Sequence, residues 1–300
     1  MLIKTLIVIA GPTGIGKTEL SIEIAKMLDT EIISADSRQI YKELKTGVAR
    51  PSDKELAEVK HYMIACKSVY DYYSAGKYEL EVIDILRNNF RNKKTAILTG
   101  GSGMYIDAVC KGIDALPDAD PEIRKKLTEK YEKEGIESLR FDLQRLDPRH
   151  YKIADLNNPK RLLRAIEVCI QTGKTYSSFL TKSKKKRDFN ILKIELVRER
   201  NELYERINDR VDLMFKQGLE EEAKSLFKIK HLNSLNTVGY KELFAYFEGK
   251  YDFNEAVRLI KRNTRRYAKR QISWFKRDKE YCRMHPDDKN KIFDFIKSRI

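Results

Sequence analysis

The sequence predicts an α/β protein in which helices wind a parallel sheet and a helical insertion interrupts the core. Three observations predict it. Short, apolar, β-branched runs alternate with helical patterns, as parallel strands joined by crossovers require. A glycine-rich turn joins the first of these runs to a helix. From about residue 117 to 187 the apolar runs stop, and the chain reads as helical and strongly charged.

The elements follow in order. "TLIVIAG" is the first buried strand, and "KTELSIEIAKML" the helix after the glycine turn, with Leu20, Ile24 and Leu28 on one face. "TEIISAD" is the second strand; "YELEVIDILRNNF" is a helix leading to the third, "TAILTGG". These belong to a first core segment, residues 1–116. The insertion, 117–187, holds "DPEIRKKLTEKYEKEG", with Asp120 as N-cap and Pro121 in the first turn. A short helix in "GIESLRFDLQRLDP" follows, then "NNPKRLLRAIEVCIQTG", where Asn158 precedes Pro159 and Gly173 is the stop. "KSKKKR", residues 182–187, reads either as a solvated loop or as an RNA-facing edge. The second core segment, 188–300, begins with the strand "ILKIELV". It continues with the helices "RNELYERINDRVDLMFKQG" and "NEAVRLIKRNTRRYAKRQISWFKRD". With 258–276 helical, Arg258, Arg262, Arg265 and Lys269 share one face, and Ile260, Tyr267 and Trp274 point inward.

The glycine turn is G-x-x-x-x-G-K-T: Gly11, Pro12, Thr13, Gly14, Ile15, Gly16, Lys17 and Thr18. Such a loop turns backbone N–H groups toward an anion at a helix N-terminus. The lysine adds a point charge, and the threonine hydroxyl is a ligand for Mg²⁺. The core is therefore P-loop NTPase-like. The acid that ends the metal-binding strand of such NTPases is missing, because "AILTGG" ends in glycines. Asp36, closing "EIISAD", is the acid on offer, and from the residues alone it is either a metal ligand or a base.

Composition narrows the class. Lys and Arg number 60 against 45 Asp and Glu, a formal charge of +15, which favours a polyanionic partner. The cysteines, Cys66, Cys110, Cys169 and Cys282, form no C-x-x-C pair and point to reduced thiols rather than zinc or disulfides. "MLIKTLIVIAG" runs directly into the glycine loop, so it reads as a strand and not a signal peptide. No apolar run approaches a membrane span, and the cytoplasm is the expected compartment.

Further blocks occur in order: "SADSRQIYKELKTGVARP", "LTGGSGMYIDAVCKGID", "LPDADPEIR", "NNPKRLLRAIEV", "ERINDRVDLMFKQGLEEE", "TVGYKELFAYFEGK" and "RNTRRYAKRQISWFKRD". Together, over residues 5 to 278, they resemble the tRNA dimethylallyltransferases, also called tRNA isopentenyltransferases or IPP transferases. The resemblance implies transfer of a dimethylallyl group from dimethylallyl diphosphate to N6 of the adenosine just 3′ of the anticodon, in tRNAs reading codons that start with U. It implies the anticodon stem-loop of tRNA as partner, Mg²⁺ as cofactor and a monomer. Asp36 then matches the general base. Lys17, with Thr13 and Thr18, matches the diphosphate cradle, and Arg210 matches an arginine on the leaving diphosphate. Asp36, Ser37, Arg38 and Gln39 match contacts to the target adenosine and its neighbours, as does Ser102, which stands where the family usually has Thr. Arg124 and the block Lys160, Arg161, Leu162, Leu163 and Arg164 match further tRNA contacts; Lys160 replaces a frequent Gln and suits a phosphate. Tyr41 and Tyr105 are candidates to stack on a base, or else core or pocket-wall residues.

Three other readings share parts of this pattern. A P-loop small-molecule kinase explains the glycine loop but leaves the helical insertion and the basic terminal helix idle. A free-nucleotide (adenylate) isopentenyltransferase shares Asp36 and the loop and differs in its acceptor. A non-catalytic RNA-binding protein has no use for Asp36 beside an intact Lys17–Thr18 pair.

Overall fold

The structure, a computed structural model, describes residues 4–181 and 184–300. The chain forms two compact units. One runs up to Lys111 and resumes at Lys186; the other is Gly112–Lys185. The expected bounds of the insertion were 117 and 187. The earlier start has a local cause: the helix Gly103–Lys111 ends at Gly112, whose φ of 77° is left-handed. The end differs because Arg187 belongs to the larger unit. Its guanidinium donates to the carbonyls of Val109 (2.8 Å) and Ala108 (2.9 Å) and pairs with the buried Glu79 at 2.8 Å. Arg187 therefore closes a buried ion pair and faces no RNA; removing one partner of such a pair typically costs about 3–5 kcal/mol. Lys182 and Ser183, also in the basic run, lie outside the described residues.

The larger unit is built on six strands: β1 Thr5–Ala10, β2 Ile32–Ser34, β3 His61–Tyr62, β4 Thr95–Gly100, β5 Asn190–Leu196 and β6 Cys282–Met284. All neighbours are parallel, in the order β3-β2-β4-β1-β5-β6. The four expected strands are present. The added edge strands, of two and three residues, are too short to carry a period in sequence. β1 lies inside the sheet and is buried along its whole length, which is why it reads as a continuous apolar run. Leu6, Val8 and Ala10 pack into one core, and Ile7 and Ile9 into the other. Tyr41 and Tyr105 belong to the first of these cores, 5% and 8% exposed, with Tyr105 stacked on Tyr78. Both are core residues, not free stacking surfaces. Crossover helices cover the sheet, and the loops leaving β1, β2 and β4 emerge together at its carboxyl edge, where such sheets bind ligands.

The smaller unit is helical, with Pro121–Glu134, Ile136–Leu146 and Pro159–Thr172 as its longer helices. Asp120 and Asn158 cap as expected, each accepting a backbone N–H from the first turn, and Gly173 ends its helix in the left-handed region. Its core is Leu127, Leu139, Leu143, Leu162, Leu163, Ala165 and Ile166. Leu162 and Leu163 are 0% and 7% exposed, so these two serve packing and not an RNA surface. The RNA assignment fails for them because one helix turn carries both faces of an amphipathic helix, and the matched block spans a full turn. Among the described residues, no helix is long and apolar enough to cross a membrane.

Candidate active site

The site begins at the loop between β1 and the helix Lys17–Met27. Gly14 and Gly16 have φ of 84° and 107°, which side chains resist and which turn the peptide planes toward the helix N-terminus. Lys17 folds back over this loop, its Nζ donating to the carbonyls of Gly11 (2.9 Å) and Pro12 (2.8 Å). Arg210, from the helix Arg200–Lys216, comes down from above and donates to the hydroxyl of Thr13. Two cations thus meet at the glycine loop. Burial and the charge of Arg210 bring the Lys17 ammonium down to about 7. Burial and the charge of Arg206 bring the Arg210 guanidinium down to about 10, and its Nε has no hydrogen-bond partner. Asp36 opposes both shifts.

Asp36 follows β2 in a tight turn. Its Oδ1 accepts the N–H groups of Arg38 (2.8 Å) and Gln39 (3.3 Å), which fixes the carboxylate at the strand end. The neighbouring contact candidates are engaged within the chain. Ser37 donates its N–H to Ser102 Oγ at 3.0 Å. Arg38 donates to the carbonyl of Ser234 at 2.9 Å. Gln39 uses both ends of its amide: Oε1 accepts from Ser34 Oγ (3.1 Å), and Nε2 donates to Val48 (3.2 Å) and Ala49 (3.0 Å) carbonyls. Ser102 also donates its hydroxyl to Ser37 Oγ at 3.3 Å.

A cavity of about 490 Å³ is lined by Thr13 to Thr18, Asp36, Gln39, Val48, Ala49, Gly100, Gly101, Arg206, Asp209, Arg210 and Gln271. It brings the glycine loop, Asp36 and Arg210 together. A smaller annex of about 80 Å³ shares Thr13, Asp36 and Arg210, and its remaining wall includes Val211, Met214, Leu219, Val238 and Ile260. Where an NTPase carries its metal-binding acid, at the end of β4, stands Thr99. Its hydroxyl donates to the Ile9 carbonyl (3.3 Å) and accepts from Ser21 (2.9 Å).

Two site residues escape the sequence reading. Gln271, on the helix Phe253–Phe275, is 5% exposed and spans two loops. Its Oε1 accepts the N–H of Thr13 and its Nε2 donates to the Gly101 carbonyl, both at 2.9 Å. A β-carbon on Gly101 would lie 2.2 Å from that Nε2, so the glycine makes room for the amide. Arg206 donates to the Gly14 carbonyl at 3.0 Å and puts a further positive charge at the cavity. Its signal was readable: Arg206, Asp209, Arg210 and Leu213 follow helical spacing and line the cavity together.

The charged candidates outside the cavity divide. Lys160 and Arg161 are exposed at the start of their helix. Arg124 and Arg164 both pair with Glu167, a carboxylate that is fully buried, and so brace the helical unit from inside. On the terminal helix, Ile260 is buried, while Tyr267 and Trp274 are half-buried edges. Arg258 is paired with Glu255 at 2.6 Å, and Arg265 donates to Asn208 at 2.5 Å. The exposed basic stripe is displaced from the expected one: Arg266, Lys269, Arg270, Lys276 and Arg277, none in an ion pair among the described residues. Arg277 lies 4.3 Å over the Trp274 ring. Glu202, His285 and Asp287 cluster as metal ligands do, but Arg198 donates to Glu202 and to both oxygens of Asp287, so a guanidinium holds them together.

Comparison with known proteins identifies the family. Residues 39–278 match the family model described as IPP transferase. A protein of Bacteroides fragilis named tRNA dimethylallyltransferase 1 is 52% identical over 300 residues, all of both chains. One of Christiangramia forsetii named tRNA dimethylallyltransferase is 51% identical, covering 98% of each chain. Among solved structures, a full-length tRNA isopentenylpyrophosphate transferase from Bacillus halodurans superposes with a TM-score of 0.72 at 32% identity, covering 98% of this chain and 96% of its own. A eukaryotic dimethylallyltransferase described as acting on tRNA gives 0.76 at 26% identity, covering 91% and 70%. A family model that spans most of the sequence, and a relative matched end to end at half identity, place this chain in the IPP transferase family.

Proposed function

We infer that the chain transfers a dimethylallyl group from dimethylallyl diphosphate to N6 of an adenosine in tRNA, the one just 3′ of the anticodon in tRNAs reading codons that begin with U. The observation that carries this reading is the pairing of two half-buried, mutually repelling cations, Lys17 and Arg210, with Asp36 beside them and Thr99 where a phosphoryl-transfer enzyme would keep its acid. Such a site is built to draw diphosphate away from carbon. N6 of adenine is a weak nucleophile because its lone pair is delocalised into the ring. As the N6–C1 bond forms, the C1–O bond breaks and its electron pair leaves with the diphosphate. The amine proton passes to the Asp36 carboxylate. Lys17, Arg210 and the loop N–H groups stabilise the leaving charge. The annex, with Val211, Met214, Leu219, Val238 and Ile260, suits a five-carbon apolar tail.

Mg²⁺ fits the hydroxyl of Thr18, a hard oxygen ligand on the cavity wall. When bound there beside the diphosphate, the ion would neutralise part of its charge. On the acceptor side, the turn from Asp36 to Gln39 and Ser102 frames the place of a base flipped out of the anticodon loop. The basic stripe from Arg266 to Arg277 suits the phosphates of the stem, and Lys160 and Arg161 suit a second backbone contact. This reading makes the cytoplasm, where tRNA is matured, the working compartment.

The deciding assay incubates the protein with Mg²⁺, dimethylallyl diphosphate and an anticodon stem-loop carrying an A-A-A run, then weighs the RNA, with AMP and ATP as parallel acceptors. The expected product is RNA heavier by one prenyl group. Unmodified RNA with prenylated AMP would favour the free-nucleotide enzyme, and phosphate transfer from ATP to an acceptor would favour a kinase.

The lowered Lys17 also makes a prediction about donor binding. Near pH 8 the ammonium is mostly neutral in the empty site and becomes charged against the diphosphate, so binding takes up close to one proton; near pH 6 it is already charged and the uptake vanishes. Titration calorimetry at each pH, in buffers of different ionisation enthalpy, measures this. Equal heats across buffers at pH 8 would contradict it.

A further inference from the structure

The loop Lys45–Gly47 is fastened by one carboxylate far along the chain. Glu222, on the helix Leu219–Leu226, accepts four hydrogen bonds. Its Oε2 takes the N–H groups of Lys45 (3.1 Å) and Thr46 (2.8 Å); its Oε1 takes the N–H of Gly47 (2.9 Å) and the hydroxyl of Tyr240 (2.5 Å). Three consecutive N–H groups around one anion form a nest, and the bonds are charge-assisted. Tyr240 is fully buried, and a β-carbon on Gly47 would lie 2.6 Å from its ring. Gly47 therefore permits the loop to lie flat on the tyrosine, under the carboxylate.

The next two residues connect this fastening to the chemistry. Val48 and Ala49 line the cavity, and their carbonyls hold the Gln39 amide at 3.2 and 3.0 Å. Gln39 in turn donates its N–H to Asp36. The glycine loop takes no part in this chain of contacts. We propose that Glu222 is a positioning residue for the acceptor side of the site: it sets the height of loop 45–49, and through Gln39 it sets the turn that aims Asp36 at the acceptor amine. This rests on the prenyl-transfer reading above.

The experiment compares Glu222→Gln and Tyr240→Phe with the wild type, measuring kcat and KM separately for RNA and for dimethylallyl diphosphate. Amide exchange at residues 45–47 is followed by hydrogen–deuterium exchange in the same samples. Glutamine turns one oxygen into a donor facing donors. The expected result is a fall of about 10–100-fold in kcat/KM for RNA, with donor KM within about threefold of the wild type. Exchange at 45–47 speeds up while β1 and β4 keep their protection. Tyr240→Phe removes one bond and leaves the nest, so it lowers the same RNA parameter by only about 2–10-fold. Glu222→Asp, keeping the charge, recovers part of the loss. RNA kinetics equal to the wild type in Glu222→Gln would overturn the proposal, as would equal losses in the donor and RNA parameters. The wild type's own transfer activity tests the function; the ratio of variant to wild type tests this lock.

Discussion

Asp36→Asn is expected to lower turnover by about 10²–10⁴-fold. Asparagine keeps an Oδ1 that can accept the N–H groups of Arg38 and Gln39, so the turn persists and the loss falls on proton removal. The same substitution takes a negative charge away from Lys17, which Asp36 holds up against burial and Arg210. The lysine then loses its proton at lower pH than in the wild type, and the pH dependence of donor binding moves in the acid direction. Measured at a pH low enough to keep Lys17 charged in both proteins, donor affinity should change by less than about threefold, since the loop contacts are untouched. Single-turnover rates with saturating donor, together with equilibrium binding at two pH values, separate these effects. Near-normal turnover would remove Asp36 from the base role.

Arg210→Ala is expected to cost about 10²–10³-fold in the chemical step, the range for losing a donor aimed at developing anionic charge. The telling part is stability. In the free protein this guanidinium is half-buried beside other cations, its Nε lacks a partner, and desolvation with the charge of Arg206 brings it down to about 10. Asp36 and the Thr13 hydroxyl offset this cost only in part, so the ligand-free variant should melt no lower than the wild type, as scanning calorimetry measures. The wild type should gain stability on adding diphosphate, and the variant should gain much less. A variant that melts far below the wild type would mean that Arg210 holds the fold rather than the leaving group.

The glycine loop was legible because its parts are contiguous: a strand, a turn that needs positive φ, a lysine and a helix lie within a few residues. Helix caps such as Asp120 and Asn158 were legible for the same reason. What the sequence hid depends on distant partners. Gln271 stands 258 residues from the N–H it accepts, and no local pattern distinguishes it from a surface glutamine. Arg187 sits in a run of lysines, yet Glu79 draws it inward. Arg124 and Arg164 have the spacing of surface arginines, and only the buried Glu167 between them shows that they brace a core. On the terminal helix, periodicity gave the helix itself. Of the expected face only Lys269 stays exposed and unpaired among the described residues, because Glu255 pairs with Arg258 and the Asn208 amide on another helix engages Arg265.

Gln271 has a consequence for synthesis. A nascent chain that has emerged as far as residue 260 already carries every residue of the glycine motif, but Thr13 and Gly101 still lack the amide that later bridges them. The ribosome must deliver the helix Phe253–Phe275 before the anion pocket acquires its final shape. Competence for the donor thus waits for a residue made long after the motif, and a product stopped before it would display the full motif with its pocket unfinished.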